Sequence, residues 1–109
     1  MAVGLFAPET LHAVKGFELA SHAAGIRYAE RDDIVLITMD EGSRAAGVFT
    51  KNRYCAAPVV LAKEHLAVSS PRALLINAGN ANAGTGQQGL DDARQSCREL
   101  AQLMSIEPT

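Results

Sequence analysis

The chain has 109 residues, 48% of them hydrophobic and 20% charged, which fits one packed domain and excludes disorder. Its formal net charge is −2, and no basic cluster with interleaved aromatics occurs, so nucleic acid is not an expected partner. The longest apolar runs are strand-sized, well short of the roughly 18–20 residues of a membrane span, and the apolar start over residues 1–6 lacks the basic flank and cleavage pattern of a secretory signal.

Residues 7–13, APETLHA, carry only a weak pattern for a first turn. The next stretch, residues 15–33, is rich in small residues (Gly16, Ala20, Ala23, Ala24, Gly25), which favours close backbone packing over a free-standing helix. It reads as an extended segment or hairpin with Asp32-Asp33 as its turn. Residues 34–39, IVLITM, read as a strand covered on both faces, followed by a turn cluster at residues 40–43. Residues 45–50, AAGVFT, are expected to pair antiparallel with it as a second strand, Gly47 marking a bulge or a close neighbour. After a polar break, residues 56–62, AAPVVLA, read as a third strand with Pro58 at its entry. Residues 63–68 suggest a helical turn that Ser69-Ser70-Pro71 ends, and residues 73–77 form a fourth strand.

That last strand feeds the densest motif of the chain, LLINAGNANAGTGQQGLDD over residues 74–92. Asn77, Asn80 and Asn82 with Gly79, Gly84, Gly86 and Gly89 suit a loop whose backbone approaches a ligand closely, the Asn side chains holding its turns. A strand, such a loop and a helix N-terminus present several N–H groups towards one point, a geometry that favours a bound or transient negative charge. The helix itself is well marked. Leu90, Ala93, Cys97, Leu100, Ala101 and Met104 recur at three- and four-residue spacing, with Asp91 and Asp92 expected in its first turn.

Residues 84–89 match G-x-G-x-x-G literally, but a dinucleotide site fits poorly. The first Gly stands seven residues beyond Asn77, the preceding strands pair antiparallel, and the acidic residue some twenty positions on would be Glu107 with no strand to carry it. No Lys follows the glycines, so a phosphate-binding Walker loop fails too. His12, His22 and His65 are scattered, and no G-x-S-x-G elbow occurs. Cys55 and Cys97 stand apart without C-x-x-C or His at ligand spacing, and read as buried or half-buried thiols of a reducing compartment, with no metal site expected. The sequence thus offers an oxyanion-binding loop without a nucleophile.

Four segments in this order, KGFELASHAAGI, DDIVLI, AAGVFTKNRYCAAPVVLAKEHL and LLINAGNANAGTGQQGLDDA, resemble the bifunctional ornithine acetyltransferase (glutamate N-acetyltransferase) family of arginine biosynthesis from about Lys15 to the end. Ala78 stands where that family often has Ser, and Gly84 where Cys is frequent, swaps expected to spare the loop's shape. The resemblance implies an α/β (α+β) fold, a mainly antiparallel sheet with flanking helices within an N-terminal-nucleophile-like α-β-β-α sandwich. It implies a cytoplasmic, self-cleaving acyltransferase without a cofactor. Its new N-terminal Thr takes acetyl from N-acetylornithine and passes it to glutamate, some members also accepting acetyl-CoA as a substrate. The family's oxyanion hole falls on Thr85 and Gly86. The family's S-T-G-V-I-G segment and cleavage-site Thr would lie beyond Thr109, so residues 1–109 are expected to form one α-chain domain, inactive without its β-chain partner. The competing expectation is a non-enzymatic module that captures phosphate or a nucleotide at the helix N-terminus.

Overall fold

The computed structural model describes residue 4 and residues 6–109, so the apolar start of the sequence falls largely outside the described residues. Three strands and two helices follow in the order β1 (Phe17–His22), β2 (Ile34–Met39), α1 (Ala57–Val68), β3 (Ala73–Asn77) and α2 (Gly86–Met104). The α+β class with an antiparallel sheet is as expected; two of the elements are not. Residues 7–13 form neither helix nor strand.

The sheet has the order β1-β2-β3, and both pairings are antiparallel. Phe17 lies opposite Met39 and His22 opposite Ile34 on one side; Ile34 faces Asn77 and Thr38 faces Ala73 on the other. Each ladder gains a further rung at Asp33, whose N–H donates to the His22 carbonyl (3.1 Å) and whose carbonyl accepts from the Ala78 N–H (2.8 Å). Asp33 is therefore not a hairpin turn residue. The chain turns earlier, at Ala29-Glu30, and Asp33 is buried at the entry of the central strand.

Since β1 and β3 occupy both edges of β2, residues 45–50 have no edge of it to pair with, and they form no strand. They run instead beside α1, where the Lys63 ammonium donates to the Thr50 carbonyl (3.3 Å) and lies 5.6 Å from the centre of the Phe49 ring. Val48 is fully exposed. Gly47 does have close neighbours, the Phe49 ring and Leu66, as its place in an apolar run suggested.

The second correction is α1. Ala56 is the N-cap and residues 57–62 are helical, and they continue without interruption into the turn expected at 63–68. Pro58 stands in the first turn, where its fixed φ and missing N–H cost nothing, and Ala, Leu, Lys and Glu propagate the helix beyond it. The Ser69 N–H returns to the His65 carbonyl (3.0 Å) and closes the helix where Ser-Ser-Pro predicts. On α2 every position its spacing marks is half-buried or buried (Leu90, Ala93, Cys97, Leu100, Ala101 and Met104), and Gly89 and Arg94 are half-buried beside them. A left-handed Ser105 ends it, with the Ile106 N–H bonded to the Ala101 carbonyl (2.9 Å).

α1 and α2 pack on each other, and among the described residues neither packs on the sheet. Among the described residues the buried apolar ones are Ala57 and Leu61 on α1 and Ala101 on α2. Arg94 of α2 reaches Glu64 of α1 at 3.5 Å, an exposed pair that adds little. Both sheet faces stay open, with Leu19 70% exposed and Leu74, Leu75 and Ile76 exposed on β3. No described helix is long and apolar enough to cross a membrane.

Candidate functional site

The Gly/Asn loop leaves β3 at Asn77 and ends in the first turn of α2. Its shape is set by its own side chains. The Asn82 amide donates to the Asn77 side-chain oxygen (2.8 Å), closing the loop across its mouth. The Asn82 carbonyl accepts from the Ala57 N–H at the start of α1 (3.3 Å) and from the Thr85 hydroxyl (3.3 Å). One residue thereby ties the two helix N-termini together. Asn77 and Asn82 hold the loop, as expected; the network of the described residues does not include Asn80.

Thr85 is the N-cap of α2, with φ −91° and ψ −1°, and Gly86 follows at φ +60°. A right-handed residue followed by a left-handed one turns successive N–H groups towards the same side, the concave arrangement that receives anions. Here it coincides with a helix N-terminus, where the first N–H groups have no intrahelical acceptor. The Thr85 side chain does not cap them. Nor does a carboxylate neutralise them. Asp91 and Asp92 stand in the second turn rather than the first, because α2 begins at Gly86. They accept from Gln87 (2.9 Å) and Gln88 (2.7 Å) one turn before. The positive end of α2 is left open.

A groove of about 240 Å³ lies over this turn, lined in part by Arg53, Tyr54, Cys55, Gly84, Thr85 and Gly86. The Tyr54 backbone is placed by nested side-chain turns: Asn52 N–H donates to the Thr50 hydroxyl (3.1 Å) and Tyr54 N–H to the Asn52 side chain (3.0 Å). The Tyr54 hydroxyl then lies against Gly84, where a Cβ would collide with it. Gly84 also has φ +72°. In this chain the Tyr54 hydroxyl thus fills the space that a side chain at position 84 would take. Gly89 is required for a different reason: a Cβ would run into the Thr85 side chain. Glycine spacing could not reveal Tyr54, because the contact joins residues thirty positions apart.

Thr85 and Gly86 are thus together at one groove, whereas His12, His22 and His65 line no part of it. Cys55 and Cys97 are free thiols, and burial pushes the Cys97 thiol above its ordinary value. No cluster of His, Cys, Asp or Glu among the described residues could hold a metal ion. The strand before the loop is antiparallel to its neighbour, so the parallel unit of a dinucleotide fold is not present in the described sheet.

The chain is 52% identical over 107 residues to the arginine biosynthesis bifunctional protein ArgJ of Pseudomonas syringae, a match covering 98% of this chain and 26% of that protein. The ArgJ protein of Methylococcus capsulatus is 55% identical over 91 residues, 84% of this chain and 22% of that protein. The chain therefore spans about a quarter of the length of the curated relatives it matches. The crystal structure of ArgJ from Bacillus halodurans superposes with a TM-score of 0.81 at 34% identity, covering 86% of this chain and 49% of the other. That of Mycobacterium tuberculosis ornithine acetyltransferase, complexed with ornithine, superposes with a TM-score of 0.78 at 37% identity, covering 84% and 48%. Residues 18–109 match the ArgJ family itself, and the chain belongs to that family.

Proposed function

We propose that this chain supplies the oxyanion-binding part of an acetyltransferase that moves acetyl from N-acetylornithine to glutamate in arginine biosynthesis. The observation that carries the reading is the pairing of a right-handed Thr85 with a left-handed Gly86 at an acid-free helix N-terminus. Residues 1–109 form a single α-chain unit, and a β chain from the same precursor provides the nucleophilic Thr after self-cleavage. Without that half the chain is inactive. Free thiols at Cys55 and Cys97 fit the reducing cytoplasm.

The chemistry follows from what each half brings. The Thr hydroxyl oxygen attacks the acetyl carbon of N-acetylornithine while its proton passes to the Thr α-amine. The carbonyl electron pair moves onto oxygen, which accepts from the Gly86 N–H and from the Thr85 hydroxyl, turned to it from the Asn82 carbonyl. Collapse breaks the C–N bond, and ornithine leaves with the proton. The glutamate amine attacks the resulting acetyl ester and gives a proton to the Thr α-amine. The same oxygen becomes negative again, and its collapse breaks the C–O bond to Thr, whose hydroxyl regains that proton as N-acetylglutamate leaves. The oxyanion pair therefore acts twice per turnover. Acetyl-CoA could donate acetyl to the same Thr through its thioester carbon, with no bound cofactor.

Thr85→Ala tests the assignment. In the chain produced together with its downstream coding region, kcat should fall on the order of 10²–10³-fold with KM for N-acetylornithine little changed, as when one oxyanion donor is removed. An unchanged kcat would contradict it.

A further inference from the structure

Asp33 is the buried polar residue among the described residues, and the acetyl-transfer scheme does not use it. Its carboxylate takes two backbone hydrogen bonds, from the Ala24 N–H (2.7 Å) and the Ile26 N–H (2.6 Å). Its main chain is the last rung of both ladders, and the rung on the β3 side is Ala78, the first residue of the Gly/Asn loop. The turn that the carboxylate gathers delivers Arg27 against that same loop: a Cβ at Gly79 would stand 3.0 Å from the Arg27 Cβ, with Gly79 at φ +91°. The loop entrance is thus held from one side by the Asp33 carbonyl and from the other by the turn its carboxylate fixes. Beyond that entrance, Asn77 grips Asn82, and Asn82 accepts from the Thr85 hydroxyl. Arg27 and Arg31 lie beside the Tyr28 ring at 5.3 and 5.5 Å, and with Asp32 they line the shallow hollow over this junction.

We propose that Asp33 is a positioning residue of the acetyl-transfer site: its carboxylate clamps the 24–27 turn onto Gly79 and so sets the path of the loop that ends at Thr85 and Gly86. The role in transfer rests on the function proposed above; the mechanical coupling does not. Chemically the site needs an ionised acid. An Asn side chain could accept one of the two N–H groups, but its own NH₂ would then face the other donor.

The test uses Asp33→Asn, with Asp33→Glu as the charge-preserving second variant, in the chain produced together with its downstream coding region. Acetyl transfer and amide hydrogen exchange are measured on each. Asp33→Asn should lower kcat about tenfold while KM for N-acetylornithine stays within about twofold, because the loss acts on geometry at the oxyanion pair rather than on substrate binding. Exchange should rise at residues 24–27 and 78–86 and stay at the parental rate in α1 and the body of α2. Asp33→Glu should fall between the two. An unchanged kcat, or exchange that rises uniformly across the chain, would overturn the positioning role. Should Asp33→Asn fail to fold, Asp33→Glu decides by the same two readouts. A parent protein without transfer activity would remove the proposed function, and exchange at 78–86 would then still decide the coupling.

Discussion

Gly86 is the residue at which the proposed oxyanion role depends most directly on the backbone. A Cβ there would meet no atom within 4 Å, so only the left-handed φ of +60° stands against a side chain. Gly86→Ala therefore isolates the backbone. It should cost about 1–2 kcal/mol locally, or relax to a right-handed φ that turns the N–H away. Either outcome should slow acetyl transfer without a large change in substrate binding, which steady-state kinetics would detect. At Gly84 the obstacle is the Tyr54 hydroxyl as well as φ. Gly84→Cys should lower the unfolding temperature of the parent and lower it less when combined with Tyr54→Ala, a non-additivity readable by thermal melts. Thr85 and Gly86 were legible in the sequence only through a motif. Tyr54 and Asp33 were not legible, because each acts through a contact with residues distant in the chain.

Asp33 also gives a pH dependence with a definite sign. The Ala24 N–H above all holds its carboxyl below the ordinary value of 3.8; desolvation opposes it and the Ile26 N–H assists it. A lowered folded value means that the carboxylate stabilises the turn fully above the unfolded value. That contribution is lost as pH falls through the folded one. Hydrogen exchange at Ala24 and Ile26 should therefore accelerate as the pH drops below about 4, relative to amides in α2, and Asp33→Asn should abolish the difference.

Among the elements, α2 and β2 were readable because one pattern dominated each: a helical period for α2, a bounded run of β-branched and apolar residues for β2. The β3 run was equally plain. AAPVVLA was not, since a short apolar run serves a buried helix as well as a strand, and Pro58 is compatible with either entry. What separated the readings was the absence of any turn signal between it and KEHLAV. VFT failed for a different reason. Its local preference for extended structure is real, but both edges of β2 are taken, so the preference finds no ladder in this chain. The α1–α2 contact should dominate local stability. Leu61 is 4% exposed, and Leu61→Ala should cost about 2–4 kcal/mol, measured by denaturant unfolding of the intact protein.

At the scale of the molecule, the surface is the telling quantity. A folded monomer of 11.5 kDa exposes about 5,800 Å², whereas this chain exposes 8960 Å². Its radius of gyration is 15.1 Å, against about 13 Å for a compact domain of this length. The excess has an address: a three-stranded sheet open on both faces, and a helix pair that does not cover it. Those open faces, together with relatives about four times as long, support the reading of one half of a site completed by a second chain. The most direct measurement is acetyl transfer from N-acetylornithine to glutamate, comparing this chain alone with the chain produced together with its downstream coding region. Activity confined to the second preparation, and lost when Thr85 and Gly86 are both replaced by Ala, is the predicted result. Activity in the chain alone, or full activity after the double replacement, would contradict it.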